Sequence, residues 1–520
     1  MKTGLSVLIA VLASAVVCAA ATPVAPFELA EWPIAETPLD GHVRSALAER
    51  GIEPALPCSD EVFIRRACID ITGTMPELDV TQLFLASDAT DKRAQLIDSL
   101  WGSEQFQDYW ALKWCDALRV KAEFPINLWP NGVQAYHRWV RDAVRDNMPY
   151  DEFARALLTS SGSNFRVPPV NFYRAMQGHE PETIAAAVAL TLMGARYEDW
   201  PEERQQEMAK FFSRVAFKGT AEWKEEIVYL DPTPCEPFDA TFPDGTTVRV
   251  TPDQDPREVF ADWLIREDNP WFAKAAANRA WWWLMGRGIV HEPDDIRDDN
   301  PPVNPALLAY LKDELVGSGW DLQHVMRTIV ESRTWQQSSI PQSDHAEAEA
   351  LFAHYMTRRI DAEVLIDALC WFGEDGETYS SMIPEPFTWV PEYHPTIALA
   401  DGSITSQFLE MFGRPSRDTG RSSERNNQPT QAQCLQLLNA RDVQGRVAQS
   451  PKLQRVRTLA KGDGAEALRL IYLTLLSREP MAHEMLAAGE YAKSAGVKQH
   501  EIPQDIAWAL INSKEFLFRH

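Results

Sequence analysis

From Ser59 onward the chain keeps returning to one local pattern. A cap-forming residue is followed by apolar residues three and four apart, and then by Gly or Pro. The stretch "SDEVFIRRACIDITG" is typical: Ser59 is placed to cap, Val62, Ile64 or Arg65, Cys68 and Ile69 fall near one face, and Gly73 closes the run. That spacing is helical, and it recurs almost to the last residue. It gives way to strand patterning once, at 216–255. There "KEEIVYLD" and "FDATFPDGTTVRVTP" are rich in β-branched and aromatic residues, with Asp244-Gly245 at a hairpin turn. The sequence therefore predicts a mainly α fold, two helical domains with a small β-hairpin insertion between them. A Pro-rich segment (22–57) precedes an N-terminal helical domain (58–215), the insertion (216–255) and a C-terminal helical domain (256–520). Within the last, about 376–430 is irregular and Pro-containing. No fixed-period repeat is visible, so a solenoid is not predicted.

One join is unusually bare. "PETIAAAVALTLMG" reads as a helix ending at Gly194, which takes a positive φ without a Cβ clash. In "DWPE" a new helix is expected to start, with Asp199 as N-cap, Pro201 in the first turn and Glu202 at the third position of a capping box.

The chain opens with Lys2, an apolar run of about 17 residues and then small residues, the pattern of a cleavable secretory signal over 1–21. A membrane span needs roughly 20 apolar residues, and no second run approaches that length. Cys18 raises lipidation, but Val17 before it suits that processing poorly. An exported protein, periplasmic or at the cell surface, is expected. Its formal net charge of −25 argues against nucleic acid, which requires a basic footprint, and against anionic membranes. Cys58, Cys68, Cys115, Cys235, Cys370 and Cys434 form no C-x-x-C pair, and their spacing leaves any disulfide pairing open.

Signals for chemistry are few. The 11 His are scattered, with no pair at helical spacing, and no metal site is predicted from them. Asp294, Asp295, Asp298 and Asp299 supply hard ligands without a Ca²⁺-loop spacing, and such a run is more often simply solvated. G-x-S-x-G, P-loop and dinucleotide fingerprints are absent. Paired glycosidase-type carboxylates meet in space rather than in sequence, so 75 acidic residues single out none. Two stretches stand out. In "NRAWWWLMGRG", Trp281, Trp282 and Trp283 point about 100° apart on a helix, so one should bury while another reaches a groove. Aromatic surfaces stack on sugars, although core packing is the commoner use. "GRPSRDTGRSSERNNQPTQ" is basic within an acidic protein, and its guanidinium groups suit an anion such as sulfate, phosphate or a carboxylate. The alternative is a loop whose arginines neutralise neighbouring acids. Together these stretches give a candidate binding set of Arg279, Trp282, Arg287, Asp295, Arg297, Arg414, Arg417, Glu424 and Arg425.

"FIRRACIDITGTMPE", "NFYRA", "FGRPSRDTGRSSER" and "DIAWALINSKEFLF" appear in order with several longer matching runs. The chain resembles the exported planctomycete and verrucomicrobial proteins that pair two domains of unknown function, often alongside a cytochrome c domain. The resemblance covers about 58–520. Many such relatives carry a C-x-x-C-H haem segment where this chain has only Tyr197 to Asp199, and cysteines where Arg421 and Ser423 stand. The resemblance thus implies a scaffold whose haem motif is lost, with no cofactor. Three activities remain open: a binding or scaffolding protein for an anionic or carbohydrate ligand, a polysaccharide-acting hydrolase, and a redox accessory subunit that docks on a cytochrome-bearing paralogue.

Overall fold

The computed structural model describes residues 22–234, 236–494 and 498–520. The leader, Cys18 and Cys235 lie outside them. Helices dominate, as the periodicity predicts, and the strands are short. Ser59 caps the helix Asp60–Ala67 by accepting from the Val62 N–H, and Gly73, at φ +66°, closes the turn that follows. The Pro-rich segment contains one helix, Pro38–Arg50, held by a reciprocal capping box between Thr37 and Asp40. Asp40 also accepts from the backbone of Arg333 and Thr334, which ties the N-terminal segment to the far half of the chain.

The bare join differs from expectation. Gly194 adopts φ +59° and ends the helical run as predicted. Asp199, however, is not an N-cap. Tyr197–Asp199 forms a 3-10 turn of its own, and the next helix, Glu202–Ala209, starts from Pro201 with no side-chain cap and no capping box at Glu202. Proline's fixed φ begins that helix where a side chain was expected to. Tyr197 is buried, and its hydroxyl donates to the Gln205 carbonyl at 2.6 Å.

The insertion is β as predicted. Phe238–Thr241 pairs with Thr247–Val250 across a turn in which the Asp244 carboxylate accepts from the Thr246 N–H. Val215–Gly219 pairs antiparallel with Glu226–Leu230, whose other edge takes Gly162–Ser163 from the preceding helical stretch. A third sheet joins Arg358–Arg359 to Phe518–Arg519.

The helices on either side of the insertion share one core. Trp283 packs against Trp110 and Trp114 at 5.7 and 5.2 Å between ring centroids, and Phe272 stacks on Tyr150 at 4.8 Å. Trp281 turns the other way, fully buried against Phe352. The fan of indoles is therefore realised as the helical geometry requires.

Arginines close the ends of this assembly, most of them buried and Arg358 partly so. The last carbonyls of a helix lack partners within it and carry partial negative charge. Arg65 donates to Leu475 and Phe516 carbonyls, Arg66 to Trp335 and Gln337, Arg279 to Thr191, Arg358 to Leu284, and Arg359 to Phe412. Each lies at or beside a helix C-terminus, so burial of the guanidinium is offset by several charge-assisted hydrogen bonds. No helix among the described residues is long and apolar enough to cross a membrane.

Candidate functional site

The predicted arginines do converge, but on the protein's own carboxylates. Arg425 makes a forked pair with Glu363 at 2.7 and 3.0 Å and also reaches Asp116 at 2.6 Å. Arg417, fully buried, pairs with Asp116 at 2.9 Å and donates to the Val120 and Ala400 carbonyls. Arg414 donates to the Ile404 and Asp401 carbonyls and lies 3.6 Å from Glu363. Around them, Asp361 receives Lys113 at 2.7 Å, Arg519 at 3.0 Å and Asn427 at 2.7 Å. Burial alone would raise the Asp361 carboxyl, yet Lys113, Arg519 and Arg425 hold it well below the usual range.

Most of the other expected site residues are also engaged. Glu424 accepts from the Thr419 N–H and hydroxyl. Asp295 lies 3.9 Å from Arg196 and 3.3 Å from Arg297, which is half exposed and also reaches Asp299. Arg287 has a buried Nε without a partner. Arg279, Trp282 and Arg425 do line one cavity together with Asp294, but it is about 40 Å³, room for a water or two. Arg414, Asp295 and Arg297 lie outside its lining. Glu198 pairs with Arg421 across the join. Among the described residues no group of three or more His, Cys, Asp or Glu is placed to hold a metal ion.

A far larger opening lies elsewhere. A cleft of about 1,730 Å³ runs between the helices Leu78–Ala86, Glu104–Ala117 and Trp129–Arg145 on one side and Ala362–Gly373, Pro451–Ala460 and the segment 387–401 on the other. Ligand pockets typically measure about 300–1,000 Å³, so this cleft exceeds what one small molecule needs. Its walls carry nine Asp and Glu against three Lys and Arg. Phe387, Trp389 and Tyr393 line it while remaining 52%, 62% and 61% exposed, an unusual display for large rings in a water-facing loop.

Local chemistry fixes this loop. Asp367, on the helix Ala362–Gly373, accepts from the Thr396 and Ile397 N–H groups at 2.7 and 3.0 Å, and the Tyr379 hydroxyl meets that of Thr396 at 2.8 Å. Burial pushes the Asp367 carboxyl up to about 6, against those hydrogen bonds. Trp371 is clamped by Glu77, which accepts from its indole, and by Lys452, 4.2 Å above its ring. Deeper in the wall, Asp401 uses one oxygen for the Ala122 and Ser403 N–H groups while the other is buried without a partner, and burial raises its carboxyl. His137 is pushed down to about 3 by burial and by Arg417 and Arg141, so it is neutral near pH 7.

None of these cleft residues was singled out from sequence. The available signal was "EPFTWVPEYHP", in which three aromatic residues sit among prolines in a stretch without helical periodicity.

Residues 38–217 match the family described as PSCyt2, a protein of unknown function (DUF1549), and residues 256–492 match PSD1, a protein of unknown function (DUF1553). The two matched regions follow one another along the chain. No curated protein and no solved structure matches it. Most of the β-rich stretch falls between the two matched regions. The ionic cluster crosses from one family to the other: Lys113 and Asp116 belong to the DUF1549 half, and Asp361, Glu363, Arg417 and Arg425 to the DUF1553 half. The cleft also takes a wall from each half.

Proposed function

We propose that this is an exported saccharide-binding protein whose ligand lies in the cleft between the two halves and is neutral or amine-bearing rather than sulfated. The observation that carries this reading is the display of Phe387, Trp389 and Tyr393 beside an excess of carboxylates in a 1,730 Å³ opening. Flat apolar rings pack against the C–H faces of sugars, and carboxylates accept from hydroxyls or pair with ammonium groups. The same acid excess repels sulfate and uronate. This moves the ligand away from the arginine loop, whose guanidinium groups already have partners. Titration calorimetry with neutral, amine-bearing and sulfated oligosaccharides tests the reading. Neutral or amine-bearing ligands should bind, and Trp389→Ala should weaken binding by roughly two- to tenfold, the worth of one aromatic contact. Binding confined to sulfated ligands, or unchanged in Trp389→Ala, refutes it.

A second reading, hydrolysis of such a polymer, is favoured by Asp367, whose carboxyl stays protonated to about pH 6 at the cleft wall. Release of new reducing ends by the wild type and its loss in Asp367→Asn would establish it. Release that survives in Asp367→Asn removes the catalytic assignment.

A further inference from the structure

The cleft does not end where its walls do. Gln134 lines both the cleft and a polar hollow of about 390 Å³ toward the β-rich insertion. On the opposite wall, Arg455 and Leu459 line both the cleft and another hollow of about 450 Å³ along the helix Pro451–Ala460. The three openings thus share wall residues and adjoin one another. A run of aromatic rings leads from the cleft toward the hollow that Glu222 lines. Phe387 lies 5.4 Å from Trp129, and Trp129 lies 6.5 Å from Trp223, which is 70% exposed. Trp223 thus connects through Trp129 to an aromatic inside the cleft, while most of its own surface stays open to a ligand.

We propose that the ligand is a long polysaccharide chain held by an internal stretch, which enters past Trp223, crosses the cleft and leaves along Pro451–Ala460. The proposal rests on the saccharide reading and adds to it the class of ligand and the mode of capture. A site that reads a chain end closes around that end. A cleft that adjoins hollows on both walls makes no use of it, and each additional sugar gains contacts until these openings are full.

The test is a length series of neutral and amine-bearing oligosaccharides, with a long chain carrying bulky groups at both ends. Affinity should rise at least tenfold from disaccharide to the longest chain, and the end-blocked chain should bind as well as the free one. Trp223→Ala should leave disaccharide binding unchanged and remove roughly two- to tenfold of the long-chain gain. Because Trp223 is on the surface, its far-UV spectrum should match the wild type. Disaccharide binding with no length dependence, or failure of the end-blocked chain alone, overturns the extended site while the cleft reading stands. Absence of binding at every length overturns the cleft reading and this proposal with it.

Discussion

Replacing Asp361 by alanine should be among the most damaging single changes in the molecule. The carboxylate is about 1% exposed and accepts from Lys113, Arg519, Tyr109 and Asn427, with Arg425 3.6 Å away. Its removal leaves two buried cations facing each other without their shared anion. Breaking a buried ion pair from one side costs about 3–5 kcal/mol, a large share of the roughly 5–15 kcal/mol that holds a typical domain folded. Equilibrium urea unfolding, followed by tryptophan fluorescence, should show the midpoint falling by the equivalent of that energy. The single transition expected of a shared core should be kept. Glu198→Gln provides the comparison, because it breaks the Arg421 pair, in which both side chains are about half exposed; that should cost under about 1 kcal/mol. The pH dependence has a definite sign. Asp361 is depressed in the folded state, so its stabilisation is fully present above the unfolded carboxylate range near 4 and is lost as pH falls toward its folded value. The gap between wild type and variant should therefore narrow below pH 4. A loss of less than about 1 kcal/mol for Asp361→Ala at pH 7 would refute the reasoning.

Other outcomes follow from single sites. Asp367 is raised to about 6, so the folded state retains this proton longer than the unfolded chain, and stability should decline as pH rises from about 4 to 6. Asp367→Asn should flatten that decline in a series of thermal melts, and an unchanged slope counts against the assignment. Gly194→Ala places a Cβ 3.1 Å from the Pro293 carbonyl oxygen at a positive φ, and should lower the urea midpoint by roughly 1–3 kcal/mol. Among the described thiols, Cys434 is exposed while Cys58, Cys68, Cys115 and Cys370 are buried. Brief alkylation of the native protein, mapped by mass spectrometry, should label Cys434 and spare those four until denaturant is added.

The helical architecture was legible because period and caps are local. Ser59, Gly73 and Gly194 do what their residue types favour in isolation. The Asp199 start failed for a local reason too: Pro201 already opens the next helix, and Asp199 is used in the turn before it. The candidate site was harder to read. Unpaired arginines and arginines paired with distant residues look identical in sequence: Arg425 finds Glu363 62 residues away in its own half, and Asp116, 309 residues away, only once the halves are docked. The cleft was invisible for the complementary reason. Its walls come from helices whose outward faces read as ordinary polar surface, and its aromatic rings come from a segment with no period to interpret.

The charged seam between the halves bears on how such a chain can be inherited. Two oily surfaces can be re-matched with many partners, since any apolar neighbour of suitable size will serve. A seam in which Lys113 must meet Asp361 and Asp116 must meet both Arg417 and Arg425 accepts far fewer. Either half made by itself would have to hydrate these groups or strand them. A half swapped for one without these partners should strand buried charges along the seam.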